Sequence, residues 1–183
     1  MEKVDLASLK KRAVSGVLAL TSRNFLLYLI SAFAYSILGA YLKRADFGIY
    51  AAVTAVMRIT TYFTNFGFGA AIVQKKGPII KDELTTAFTV QASITLLIFL
   101  LFWLNQNFVA TFFHLSKGGL GLLLVLIFTI FLSSFKTIPA VLLERDLKFD
   151  KVILPQIAEN LVFNGLLIYL AVNNYGITSY TYA

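Results

Sequence analysis

The stretch LTTAFTVQASITLLIFLLFWL, residues 84–104, runs for 21 residues without a charge and ends in Asn105-Gln106-Asn107. At 1.5 Å per helical residue it reaches about 31 Å, the thickness of a bilayer's hydrocarbon core. Trp103 next to the polar triplet has the character of an aromatic anchor at a membrane interface. Similar runs lie on either side of it. They cover 17–42, 47–73, 119–143 and 152–172, so the sequence predicts five spans. Gly176 to Ala183 is too short and polar to cross and marks the start of a sixth. The composition agrees. Of 183 residues, 58% are hydrophobic and 14% charged, against about 25% charged in soluble domains; the mean hydropathy is +0.79. The predicted fold is an all-α integral membrane protein, a helical bundle forming a single lobe over 1–183.

The short segment after Asn107 places Phe108, Phe112 and Leu115 at helical spacing, which suits a piece lying in the membrane interface. Pro155 falls in the first turn of the fifth span, where a missing N–H is tolerated. A signal peptide is the competing reading of the first span, because Ala32-Phe33-Ala34 has the A-x-A form; the apolar run continues past Ala34 and four more spans follow, which favours a retained helix. Five spans leave one unpaired in a repeat-built transporter, so the expectation is a truncated chain.

The net charge of +7 is a topology signal and not a nucleic-acid surface, because the basic residues sit in short clusters between apolar runs. One side of the membrane would hold Lys3, Lys10, Lys11, Arg12, Lys75, Lys76, Lys81, Arg145, Lys148 and Lys151. The other would hold only Lys43, Arg44 and Lys117. This asymmetry predicts a cytoplasmic N-terminus in the cytoplasmic membrane, with Tyr41, Tyr50, Trp103 and Tyr175 forming an outer aromatic belt.

Three cations remain inside the spans: Arg23, Arg58 and Lys136. A cation at mid-span costs about 2.5–3.5 kcal/mol on insertion scales, so each needs a compensating partner or an aqueous cavity. Thr54, Arg58, Thr61 and Asn65 recur at spacings of four, three and four, which puts one polar stripe on the second helix. Asn24, Tyr28, Ser31 and Tyr35 repeat those spacings on the first, beside Arg23. Thr86, Thr89 and Ser93 on the third span, and Gln156, Glu159, Asn160 and Asn164 on the fifth, add polar faces. Such stripes also act as packing glue between membrane helices.

Three intramembrane cations against one anion, Glu159, give a cavity that prefers an anionic substrate, and an Arg fork matches phosphate oxygens. The candidate substrate-binding residues are Arg58, Arg23, Lys136, Asn24 and Asn65. Arg23 and Lys136 lie near span ends, where snorkelling to headgroups competes with cavity lining. Glu159 either neutralises Arg58 or Arg23 in a structural pair or couples transport to an ion.

Catalytic chemistry has no visible set of groups. There is no cysteine, His114 is the sole histidine, and no Ser/His/Asp set or paired carboxylates can be assembled, so neither an enzyme nor a metal or cofactor site is expected. Asp46-Phe47-Gly48 spells the kinase magnesium triplet without any of its companions. Gly67-Phe68-Gly69 lacks the third glycine and the strand of a dinucleotide fold; Gly67 and Ala71 instead have small-xxx-small spacing.

Four stretches in order carry a resemblance: Ala40-Tyr-Leu-Lys-Arg-Ala-Asp-Phe-Gly-Ile-Tyr50, Asn65-Phe-Gly-Phe-Gly-Ala-Ala-Ile-Val-Gln74, Phe112-Phe-His-Leu115 and Ile138-Pro-Ala-Val-Leu-Leu-Glu-Arg-Asp-Leu-Lys-Phe149. Together, over about Ser15 to Gly176, they resemble the O-antigen type polysaccharide flippases of the multidrug/oligosaccharidyl-lipid/polysaccharide exporter superfamily. Lys43-Arg44-Ala45 replaces that family's usual Leu-Ser-Pro-like turn, and Asn65 stands where Asp is frequent. The resemblance implies two six-helix lobes, alternating access, and transfer of a lipid-diphosphate-linked glycan between leaflets. The present chain then corresponds to most of an N-terminal lobe, with the lipid-linked glycan, membrane lipids and a second lobe or other envelope biosynthesis proteins as partners. A multidrug cation antiporter of the same superfamily is the alternative within transport, although it calls for an acidic cavity. A non-transporting membrane scaffold is the alternative outside it.

Overall fold

The computed structural model describes residues 6–64, 67–75 and 77–183. These residues form eight helices and no strand: α1 (Leu6–Tyr41), α2 (Arg44–Thr64), α3 (Phe68–Gln74), α4 (Lys81–Leu104), α5 (Gln106–Phe112), α6 (Lys117–Arg145), α7 (Phe149–Val172) and α8 (Thr178–Tyr182). The Leu20–Tyr41 part of α1, α4, α6 and α7 are each long and apolar enough to cross a bilayer. Much of their apolar surface is exposed, including Phe33, Leu97, Leu132 and Leu154. In water such a surface would drive aggregation; facing lipid, it needs no protein cover.

The expected second span differs: five spans were expected, and α2 is not among these four long apolar helices. A single helix over 47–73 is replaced by α2 and the short α3, because Gly67 between them has φ +72. A left-handed residue cannot continue a right-handed helix, and glycine adopts it at least cost. Asn65, the last member of the α2 polar stripe, lies outside the described residues. Pro155 is also displaced from the expected first turn: α7 begins at Phe149, with Asp150 in its first turn, so the proline lies in the second and leaves the Lys151 carbonyl without its usual donor. The acidic start explains the earlier beginning, since a carboxylate complements the positive N-terminal end of a helix.

α6 is the hub and packs against α2, α3, α4, α5, α7 and α8; α1 packs against α7. The main core gathers Leu38, Leu42, Val53, Leu122, Leu123, Ile127, Leu167 and Ala171. All of these belong to the half of the bundle where α1 ends and α6 begins, called here the aromatic end after Tyr41, Trp103 and Tyr175. Glycine allows the close approach there. A Cβ on Gly119 would come within 2.8 Å of Ile49 Cγ2 in the second turn of α2, and one on Gly118 within 2.8 Å of Ile177 Cγ2 before α8. Ser116 caps α6 by accepting from the Gly119 N–H at 3.2 Å. α5 carries exposed Phe108 and Phe112, with rings stacked 5.8 Å apart, and buries Val109. The tail does not trail away: Gly176 takes φ +57, and α8 turns back to bury Ser179 and Tyr180.

At the opposite, basic end the connections are tied to one another. The Arg145 guanidinium donates to the carbonyls of Lys75 and Gly77, and Lys75 pairs with Glu83. The Lys148 ammonium, 2.7 Å from Asp146, holds that carboxyl below its usual range through a charged hydrogen bond.

The close contact at Gly119 yields a paired test. Gly119→Leu should push α2 away from α6 and lower the thermal unfolding midpoint in detergent by several degrees, as overpacking costs roughly 1–3 kcal/mol. Gly121→Ala, where a Cβ meets nothing within 4 Å, should leave the midpoint unchanged or raise it slightly. Equal midpoints for the two variants would count against the packing described.

Candidate functional site

Helix periodicity decides which side chains meet. On α2 the buried face is Val53, Thr60 and Thr64; at 100° per residue, Tyr50, Thr54 and Thr61 lie about 60–100° to one flank and Arg58 about 140° away. On α1, Ala34 and Leu38 are buried, and Asn24, Tyr28 and Tyr35 lie about 60–100° round on one flank. The two flanks face each other, because Tyr35 Oη donates to Tyr50 Oη at 3.5 Å. With α1 held by α7 and α2 by α6, the helices form two walls of a furrow.

The furrow is closed at the aromatic end. Tyr50 stacks on Tyr180 of α8 with ring centroids 4.0 Å apart and 19° between planes. Axial distances agree: Tyr35 is six residues from the end of α1 and Tyr50 six from the start of α2, about 9 Å each. By the same arithmetic Tyr28 and Arg58 stand about 20 Å from that end, level with each other on opposite walls. Arg23 and Asn24 lie farther from the aromatic end, toward the basic end. Next to Tyr180, a cavity of about 650 Å³ opens between α1, α6, α7 and α8, lined in part by Leu27, Thr129, Gln156, Glu159 and Asn160.

The three cations that the sequence reading places within spans are treated differently. The Arg23 guanidinium donates to Gln156 Oε1 on α7 and to Asn24 Oδ1 at 2.7 Å, so neutral oxygens solvate it while its charge remains. Lys136 Nζ lies 2.9 and 3.0 Å from the two oxygens of Glu159, an ion pair with both side chains 61% exposed. The expected partner of Glu159 was Arg58 or Arg23; the observed one is Lys136, because α6 and α7 are neighbours and bring residues 23 apart in sequence onto one level. Arg58 is exposed and, among the described residues, makes no hydrogen bond or ion pair. Its neighbours Thr54 and Thr61 turn their hydroxyls back to helix carbonyls at 2.8 and 2.9 Å, as serine and threonine do in membrane helices.

Of the expected site residues, Arg23 and Asn24 come together, Lys136 is joined to Glu159, and Arg58 stands on the facing wall. Gln156 was noted only as part of a polar face, yet it is the acceptor that anchors Arg23. Tyr50 and Tyr180 were not expected at the site. Asn160 and Asn164 bond to one another at 3.2 Å, with Asn164 buried, and so serve α7 itself.

No curated protein and no solved structure matches the chain. Residues 37–182 match the family model described as polysaccharide biosynthesis protein, a range that includes α2, the furrow's Arg58 wall, and the Lys136–Glu159 pair. With an all-α bundle of bilayer-length apolar helices, the chain is a multi-pass membrane protein, and it belongs to the family of polysaccharide biosynthesis proteins.

Proposed function

We propose that this protein is a transporter, not an enzyme, and that it moves a lipid-diphosphate-linked oligosaccharide across the cytoplasmic membrane for polysaccharide export, with its N-terminus in the cytoplasm. The observation that carries this reading is Arg58. It stands far along a helix of the bundle, is exposed beside the α2 flank that carries Tyr50, Thr54 and Thr61, and has no protein counter-charge among the described residues. A charge in that position needs either water or an anion. A diphosphate supplies oxygens that fit the planar guanidinium fork, and the lipid tail can remain in the bilayer beside the furrow.

Arg23 and Asn24 form the second contact in this scheme, toward the basic end. Gln156 fixes the Arg23 side chain in place, which lowers the ordering cost of a second phosphate contact. Lys136 is spent on Glu159, so it contributes through the field of the pair and not as an open ligand. Glu159 accordingly acts as a structural counter-charge. The bundle rocks against a second helical lobe, as the likeness to two-lobe exporters implies. The direction of net movement then depends on different affinities for the anion in the two states.

Two outcomes follow. In cells that lack their own flippase for the same glycan, Arg58→Ala should reduce glycan export by roughly 10- to 100-fold, the value of a charged hydrogen bond or two, with membrane insertion unchanged. Arg58→Lys should retain part of the export, and export at the wild-type level with Arg58→Ala would refute the assignment. For the ion pair, Lys136→Glu alone should lower the amount of folded protein in the membrane, because two carboxylates then face each other across α6 and α7. The exchanged double variant, Lys136→Glu with Glu159→Lys, should restore most of it. A double variant no better than the single would show that the carboxylate acts at its own position, as ion coupling demands.

A further inference from the structure

Tyr28 is the polar side chain that the phosphate contact leaves unexplained. It is 75% exposed, and about 20 Å from the aromatic end it lies well inside a hydrocarbon core of roughly 30 Å. Tyrosine suits membrane interfaces, where its hydroxyl reaches water. At this depth a phenol turned toward acyl chains would strand its hydroxyl, at a cost of a few kcal/mol in an apolar medium. Among the described residues that hydroxyl has no hydrogen-bond partner. Two turns away on the same flank, Tyr35 is 43% exposed, and its hydroxyl is steadied by Tyr50. Both rings share the furrow wall opposite Arg58.

We propose that Tyr28 and Tyr35 form an aromatic platform on which sugar rings of the cargo stack, with Tyr28 taking the first sugar after the diphosphate. A pyranose presents one face of C–H groups, weakly positive, to the negative face of an aromatic ring, while its rim of hydroxyls looks for hydrogen-bond partners. The furrow offers both kinds of contact. The Tyr28 hydroxyl and the Asn24 amide lie on one flank of α1, and Tyr28 stands level with Arg58. The sugar attached to the diphosphate has to lie beside the phosphates, so the level placement fixes which tyrosine meets it. Tyr35, about 10.5 Å farther along the helix, meets a later ring of the same oligosaccharide. Because Tyr50 is backed by Tyr180 at 4.0 Å, the far end of the platform is rigid and closed, and the chain of sugars enters from the basic end. The proposal rests on the lipid-diphosphate-glycan reading and extends it to the glycan.

The test uses the chain in lipid nanodiscs, without maltoside detergent, which itself carries sugars. Two probes are titrated: a polyprenyl diphosphate bearing a tetrasaccharide and the same polyprenyl diphosphate without sugar. Tyr28→Leu should weaken the glycosylated probe by roughly tenfold and leave the bare one unchanged, whereas Tyr28→Phe, which keeps the ring, should stay within about twofold of wild type for both. Arg58→Gln should weaken both probes alike. Wild-type affinity of Tyr28→Leu for the glycosylated probe overturns the platform, as does equal weakening of the two probes. An Arg58→Gln variant that binds both probes normally overturns the diphosphate reading, and the tyrosine result still decides the sugar contact. A wild-type chain that binds neither probe overturns both.

Discussion

A cation placed far along an apolar helix is tolerated only where something replaces the water it has lost. Of the three cations that the sequence reading places within spans, two receive a protein replacement and the third does not. Neutral amide oxygens surround Arg23, a carboxylate meets Lys136, and Arg58 faces open space. The first two arrangements bridge helices, α1 to α7 and α6 to α7, so they also fix the rotation of each helix about its axis. The third bridges nothing. An arginine that does not serve the bundle is the group left to serve a ligand, and this asymmetry gives the furrow its direction.

Much of the fold was legible because a bilayer leaves a spanning chain few choices. The runs 84–104, 119–143 and 152–172 fall within α4, α6 and α7, because backbone groups in oil must bond within their own helix and the thickness of oil sets the length. The second segment was misread as continuous for a definite reason. Hydropathy is an average, and a single residue with positive φ, Gly67, leaves an average untouched while ending a helix. Gly176 is the same kind of residue. It reverses the chain into α8, and a tail that reads as polar buries Tyr180 against the core.

The candidate site was legible in its stripes but not in its pairings. A period of 3.6 places Asn24, Tyr28 and Tyr35 on one flank of α1, and Tyr50, Thr54 and Thr61 on one flank of α2, from spacing alone. Which flank meets which depends on how each helix is turned against its neighbours, and that is settled by packing among residues far apart in sequence. Arg23 and Gln156 are separated by 133 positions. Lys136 and Glu159 had no mark in the sequence that distinguished their pairing from one with Arg58. The clue available was the helix order: consecutive spans α6 and α7, joined by the short Asp146–Lys148 turn, are the most probable neighbours.

Packing is uneven along the bundle, and this bears on how a furrow changes its access. The buried residues of the main core lie toward the aromatic end, where Gly118 and Gly119 let α6 approach its neighbours and the Tyr35, Tyr50 and Tyr180 rings seal the furrow. Toward the basic end the helices carry polar links instead, Arg23 with Gln156 and Lys136 with Glu159, which can be exchanged for water or an anion at smaller cost than a close-packed contact can be opened. A dense end and a polar end make a hinge and a mouth. On the proposed transport reading, motion about such a body widens the polar end first, and an anion that enters there meets Arg23 before Arg58. On the same reading, the charge order along the furrow, a solvated guanidinium near the mouth and an unanswered one deeper in, would draw an anionic headgroup inward without giving it a neutralised resting place on the way.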